Sequence, residues 1–357
     1  MVQPHAIDEH QNDSLLIDNE LALNDAISEL GKYKQTSNNI LAVDCEGVSL
    51  SRKGELTILS IATREKAYLF DVFKIGKTIF SGGMKEILED STQEKLMFDC
   101  RQDSDALWHQ FNVKLAGVLD LQLLEIMYRR ENPTSTSVKP PTKTKFGRYK
   151  RRSQFTDQVE KLYGYRRCLE LYIEDDKLVQ TKDVGGELFK SNKKLWKVRP
   201  LLKTLIEYCV VDTMGMFKLY DKMKDILSSM DKSRLKVASE KYVEYYRAKE
   251  ERSYDEYETN AFLPLDIIPE KGTTNFPSTN TTCTRCKRRF PREEFSVTQL
   301  RQGEQKCRVC KEVKRLDDVQ KNREDNWARH DDSDYIVFPE CGKDSCFTFG
   351  CSCSHCF

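Results

Sequence analysis

Four consecutive apolar residues, Ile40-Leu41-Ala42-Val43, run directly into an acid, Asp44, and a second acid follows at Glu46. A short apolar run of this kind reads as a strand buried in a sheet, ending where the carboxylates begin. Residues at i and i+2 of a strand lie on one face, so both carboxylates point the same way. Like charges held together need an offset, and a divalent cation is the usual one. Alone, Asp-x-Glu is also compatible with a charged strand end turning into a loop.

The surrounding pattern places that strand. Leu23, Ile27 and Leu30 stand at helical spacing and predict an amphipathic helix over 21–33. The β-rich runs 56–63 and 67–73, separated by Arg64-Glu65-Lys66, predict an antiparallel meander with the first strand. A helix through Met84 and Leu88, a short strand over 95–99, a helix starting near Asp103 and a strand over 118–121 follow. The expected class is α/β, a mixed sheet flanked by helices. A further helix is expected from Pro200, a residue suited to a first helical position, through Leu201, Leu205, Tyr208 and Asp212 to about Leu227. Residues 233–260, charged and rich in Tyr, predict another helix. Residues 1–20 are polar and are expected to form a disordered tail.

Tyr208 and Asp212 are four apart on their helix and share a face. That spacing also suits a half-buried Tyr at the edge of an amphipathic helix. Asp103 stands where a strand ends and a helix begins, a common place for an N-terminal helix acid. Asp105 is its rival as a ligand, Asp120 reads as structural, and His109 as a helix-surface residue. Taken together, the acids suit one chemistry. Two divalent metals about 3.5–4 Å apart, held by carboxylates, clamp the attacking and leaving oxygens of a phosphoryl displacement. In that arrangement Asp44 bridges the metals, while Glu46 and Asp212 hold the one that activates water. Asp103 completes the second metal directly or through a water, and the Tyr208 hydroxyl orients the attacking water. Hard cations such as Mg²⁺ or Mn²⁺ suit an all-oxygen site.

At this point a resemblance is visible. Leu41-Ala42-Val43-Asp44-Cys45-Glu46-Gly47, then Lys95-Leu96-Met97-Phe98-Asp99-Cys100-Arg101-Gln102-Asp103, then Trp196-Lys197-Val198-Arg199-Pro200-Leu201 ahead of Tyr208-x-x-x-Asp212 resemble the tyrosine-bearing branch of the DEDD 3′→5′ exonucleases. That group includes ribonuclease D, Werner-type exonucleases and polymerase proofreading domains, and the match covers roughly residues 21–227. The stretch from Phe98 is more particularly similar to animal exonuclease-domain proteins related to Egalitarian and to the piRNA pathway. The resemblance implies a ribonuclease-H-like fold, two Mg²⁺ or Mn²⁺ at the active site, and RNA or single-stranded DNA as substrate. Some members of the subgroup have lost catalytic carboxylates and serve as RNA-binding adaptors. Here all five positions are present.

The departure from the family is residues 131–157, an insertion with three prolines and a basic run over 139–152 that contains no acid. A solvated linker, a nuclear-import patch and a substrate-phosphate contact through Lys150, Arg151 and Arg152 are all compatible with it. Phe146 and Tyr149 suit stacking on bases. Arg199 is a candidate phosphate contact, with packing or capping as the alternative. Net charge does not decide the partner, because 58 Lys and Arg nearly balance 57 Asp and Glu.

Nine of the thirteen cysteines lie at or beyond Cys283. Asp8, Glu9, Asp13 and Asp18 leave no basic start for a signal peptide, and no apolar run approaches a membrane span. The protein is therefore expected inside the cell, in cytoplasm or nucleus, where disulfides are rare. Cys283-x-x-Cys286 and Cys307-x-x-Cys310 then read as a structural zinc ribbon. Its basic residues suit nucleic acid or docking to a protein partner. Cys341, Cys346, Cys351, Cys353, His355 and Cys356 are candidates for a second zinc, with His330 as an outside ligand, or for free thiols. The expected organisation is a tail over 1–20, an exonuclease domain over 21–230, a helical extension and linker over 231–275, a zinc-ribbon-like module over 276–312 and a Cys-rich tail over 313–357.

Overall fold

The computed structural model describes residues 13–133 and 159–331. The basic run with Lys150, Arg151 and Arg152, the cysteines from Cys341 onward and the side chain of His330 lie outside the described residues. Along the chain come β1 (Asp13–Ile17), α1 (Glu20–Tyr33), β2 (Leu41–Val48), β3 (Glu55–Ala62), β4 (Lys66–Asp71), α2 (Val72–Ile75), α3 (Gly83–Glu89), β5 (Lys95–Met97), α4 (Arg101–Phe111), β6 (Val118–Asp120) and α5 (Leu121–Glu131). After the undescribed stretch follow α6 (Tyr165–Tyr172), α7 (Asp176–Ser191), α8 (Lys203–Met223) and α9 (Ser229–Arg247). The C-terminal part holds β7 (Thr281–Thr282), β8 (Arg289–Phe290), α10 (Val297–Gln302) and α11 (Arg308–Asp331).

Six strands form one sheet in the order β1-β4-β3-β2-β5-β6. The β2-β3-β4 meander is antiparallel, and β1, β5 and β6 join it in parallel. A mixed sheet must be covered to bury strands as apolar as β3 and β4, and α8 lies across β2, β3, β4 and β5. This is the α/β sheet flanked by helices expected from the sequence. No helix among the described residues is long and apolar enough to cross a membrane.

Three expectations need correction. The polar tail over 1–20 contains an edge strand: β1 pairs along β4, and Ile17 is fully buried in the core. Its apolar run, Leu15-Leu16-Ile17, is too short to show a period. The helix expected at Pro200 begins at Lys203, with Leu202 extended as its N-cap. The helix over 233–260 stops at Arg247. The chain beyond it is irregular but tightly held, because Arg252 pairs with Asp105 at 3.1 Å and with Glu258 at 3.2 Å.

Candidate active site

β2 carries Asp44 and Glu46 on one face, while Cys45 between them is buried on the other. A bulge after Glu46 ends this regular stretch, and Gly47 occupies it because a Cβ there would run into the Glu55 carbonyl. α8 crosses the strand and brings Asp212 to the same place. Ligand oxygens of Asp44, Glu46 and Asp212 lie within 4.8 Å of one another. Asp103, in the first turn of α4, stands beside this group and accepts a hydrogen bond from the Cys45 N–H at 3.1 Å. It thus braces β2 from the side while Asp44, Glu46 and Asp212 converge. Tyr208, one turn before Asp212, packs edge-on to Phe189 and Trp196, with ring centroids 5.3 and 6.2 Å away. Sequence reasoning missed one participant. Lys182 of α7 donates from Nζ to the Tyr208 hydroxyl at 2.5 Å and to both carboxylate oxygens of Asp212, at 2.5 and 2.6 Å.

The electrostatics favour a cation. Burial, followed by the charges of Glu46, Asp212 and Asp103, raises Asp44 far above the usual carboxylate range. Burial and then the charge of Asp212 push Glu46 up to about 8, and burial lifts Asp103 to about 7. One buried oxygen of Asp44 has no hydrogen-bond partner. A buried acceptor without a donor is costly, and the single Lys182 ammonium offsets only part of the charge of four crowded acids. The all-oxygen donor set therefore fits Mg²⁺ or Mn²⁺.

This arrangement has a pH signature. The folded chain keeps protons on Glu46 and Asp103 that an unfolded chain releases near the ordinary values of 4.5 and 3.8. Over that window the folded state binds more protons, so these groups lower stability as pH rises toward about 8. A divalent cation bound there would replace the protons and remove the penalty. Melting in Mn²⁺ minus melting in EDTA should give a larger gap near pH 8 than near pH 6. An equal gap at both would contradict this picture.

Other candidates have different tasks. Asp105 is fully occupied: Arg52 donates from Nε at 3.0 Å and from its backbone N–H at 2.9 Å, and Arg252 donates at 3.1 Å. Asp120 caps α5, accepting from the Gln122 and Leu123 N–H groups at 3.0 and 3.3 Å. His109 Nε2 lies 3.2 Å from the Arg247 carbonyl and 3.8 Å from Asp105, not among the converging acids. Arg199 is not available to a phosphate. Its guanidinium grips Asp71, with Nη2–Oδ1 at 2.6 Å, and donates to the Trp196 and Val198 carbonyls at 3.0 and 2.8 Å. It ties the segment before α8 to the end of β4. Past the end of β2, a cavity of about 460 Å³ is lined by Leu50, Lys53, Gln102, Lys193 and Tyr254, and by none of the converging acids.

The four cysteines 283, 286, 307 and 310 also converge, with all sulfurs within 4.8 Å of one another. Cys283–Cys310 and Cys286–Cys307 are each 3.9 Å apart. Tetrahedral zinc with bonds of about 2.3 Å places sulfurs roughly 3.8 Å apart, so the set fits Zn²⁺. Lys287 takes a left-handed turn (φ 61°) that curls the first pair around the site. The module is not separate from the core. Its cluster of Phe290, Phe295, Val309 and Val313 packs on Val159, Tyr257, Phe262 and Leu265. Arg285 stacks 3.9 Å from the Tyr257 ring centre, and Arg288 bonds the Leu265 carbonyl, so part of the module's basic charge serves docking.

A mixed sheet whose acid-bearing strand faces a Tyr-x-x-x-Asp helix is a ribonuclease-H-like exonuclease fold. In agreement, residues 15–136 match the family model for the 3′-5′ exonuclease domain. The chain carries such a domain. Among curated proteins it is 39% identical over 89 residues to the piRNA biogenesis protein EXD1 of Mus musculus, covering 25% of this chain and 16% of that protein. It is 32% identical over 123 residues to EXD1 of Xenopus laevis, covering 34% of this chain and 27% of that one. The chain thus spans well under half the length of these relatives. Among solved structures it superposes on the RNase D of Trypanosoma brucei with a TM-score of 0.53 and 21% identity, over 82% of this chain and 90% of that one.

Proposed function

We propose that this protein is a divalent-metal-dependent 3′→5′ exonuclease acting on RNA or single-stranded DNA. The observation that carries the reading is the convergence of Asp44, Glu46 and Asp212, with Tyr208 one helical turn from Asp212. Asp44, Glu46 and Asp212 would hold the cations, with Asp103 beside them. Bound cations supply charge stabilisation for in-line phosphoryl displacement and acidity for the attacking water. The protein's own groups do the rest. The Tyr208 phenol stays protonated, because burial and then the charge of Asp212 push its pKa far up, so its hydroxyl can hold and orient a water. The cavity past the end of β2, with Lys53 and Lys193 on its rim, offers positive charge for the phosphates of a bound strand. A structural Zn²⁺ on the cysteine module completes the metal content we propose.

The relatives' name, piRNA biogenesis protein, points toward RNA and keeps a second reading open: an adaptor that binds RNA without needing catalysis. A 5′-labelled single strand, as RNA and as DNA, separates the two. Stepwise shortening from the 3′ end with Mg²⁺ or Mn²⁺, and none with EDTA, is expected. Tight binding with no shortening in any metal would favour the adaptor. Within the enzyme reading, Tyr208→Phe removes one hydroxyl and leaves the carboxylates in place. Its single-turnover rate should fall on the order of 10²-fold, the low end for a positioned proton-handling group. An unchanged rate would leave Tyr208 as packing only.

A further inference from the structure

We propose that Lys182 is a positioning residue of this active site, holding Tyr208 in its working orientation and sharing Asp212 with the metal. The inference rests on the metal-nuclease reading above. α7 presents Lys182, Gly185 and Phe189 at i, i+3 and i+7, one face of the helix, and all three meet Tyr208. Phe189 boxes its ring. At Gly185 a Cβ would overlap that ring, so the close approach of α7 to α8 needs a residue without a side chain. An ammonium has three donors, and here they meet three acceptors: the phenol oxygen and the two oxygens of Asp212. With its oxygen held by Lys182 and its hydroxyl beside Asp212, the phenol is fixed against the carboxylates that would hold the metal.

The same geometry sets a competition. Lys182 engages both oxygens of Asp212, and its side chain is only 15% exposed, so its charge is poorly screened. A divalent cation on Asp212 meets that charge at close range, and the two repel. Lys182 should therefore favour the chemical step while weakening metal binding. A purely structural lysine would give losses in both.

The test is Lys182→Met in the full-length chain, a side chain of similar reach without the charge. Turnover of a single-stranded oligonucleotide is read alongside Mn²⁺ binding by calorimetry without substrate. The expected result is a fall in kcat on the order of 10²-fold, with Mn²⁺ bound at least as tightly as by the wild type. A kcat within about twofold of wild type, or a loss accompanied by weaker Mn²⁺ binding, would overturn the proposal. Should Lys182→Met fail to fold, Lys182→Gln, which keeps a donor, carries the same comparison. A wild-type protein that neither binds Mn²⁺ nor shortens any strand would overturn the underlying reading, and the proposal with it.

Discussion

Asp44→Asn and Asp212→Asn are each expected to reduce 3′-end hydrolysis by on the order of 10³-fold or more, because carboxylate-held metals supply several kcal/mol to the transition state. Neither change alters side-chain volume, and both relieve charge repulsion. Asp44 has a raised pKa, chiefly from burial, so a neutral amide suits its place at least as well as an uncompensated carboxylate, whereas Asp212→Asn leaves the buried Lys182 ammonium without its carboxylate partner and should cost stability. Asp44→Asn should therefore melt at or above the wild-type temperature in EDTA and Asp212→Asn below it, and neither should gain stability from Mn²⁺ as the wild type does. Binding of a single strand should persist, since the basic residues proposed to meet its phosphates, Lys53 and Lys193, are not among the carboxylates. Wild-type cleavage by either variant would remove these residues from the metal site.

The second large effect concerns the cysteine module. Replacing Cys283 and Cys286 with Ser removes two of the four converging thiolates. Structural zinc contributes on the order of 10 kcal/mol to folding such a small unit, more than its few apolar side chains provide. The double variant should lose zinc by elemental analysis, and the module should unfold. The sequence suggests an autonomous unit beyond a linker, but the packing of Phe290 and Phe295 over Tyr257, Phe262 and Leu265 implies more. Loss of zinc should uncover that apolar surface on the core, lowering its melting temperature and promoting aggregation. Zinc absent from the reduced wild-type protein, or a core that melts unchanged in the variant, would count against this coupling.

How much of this was visible in the sequence follows from the range of each interaction. The Asp44/Glu46 pair and the Tyr208/Asp212 pair are local spacings on a strand and a helix, and period alone places each pair on one face. The cysteine pairs are local in the same way. That β2 and α8 then meet is a long-range fact, supplied in the sequence reading only by the family resemblance. Residues whose role depends on a distant partner were left between alternatives or missed. Arg199 looks like a phosphate contact until its partner Asp71, 128 residues away, is in view. Asp105 looks like a rival ligand until Arg52 and Arg252 are seen to enclose it. Lys182 sits in a charged stretch with no signal of its own. The one available hint was Gly185-Gly186 inside an otherwise helical pattern, since glycine in a helix interior usually has a packing reason. Edge strand β1 gains its structure almost entirely from β4, so its own residues show little.

The central claim, that Asp44, Glu46 and Asp212 hold catalytic metal, is tested most directly by anomalous scattering from crystals grown with Mn²⁺ and a short oligonucleotide. Two Mn²⁺ peaks about 3.5–4 Å apart among these carboxylates, with the 3′-terminal phosphate beside them, are expected. Crystals showing the strand bound but no Mn²⁺ between Asp44, Glu46 and Asp212, with Lys182 still on Asp212, would contradict it.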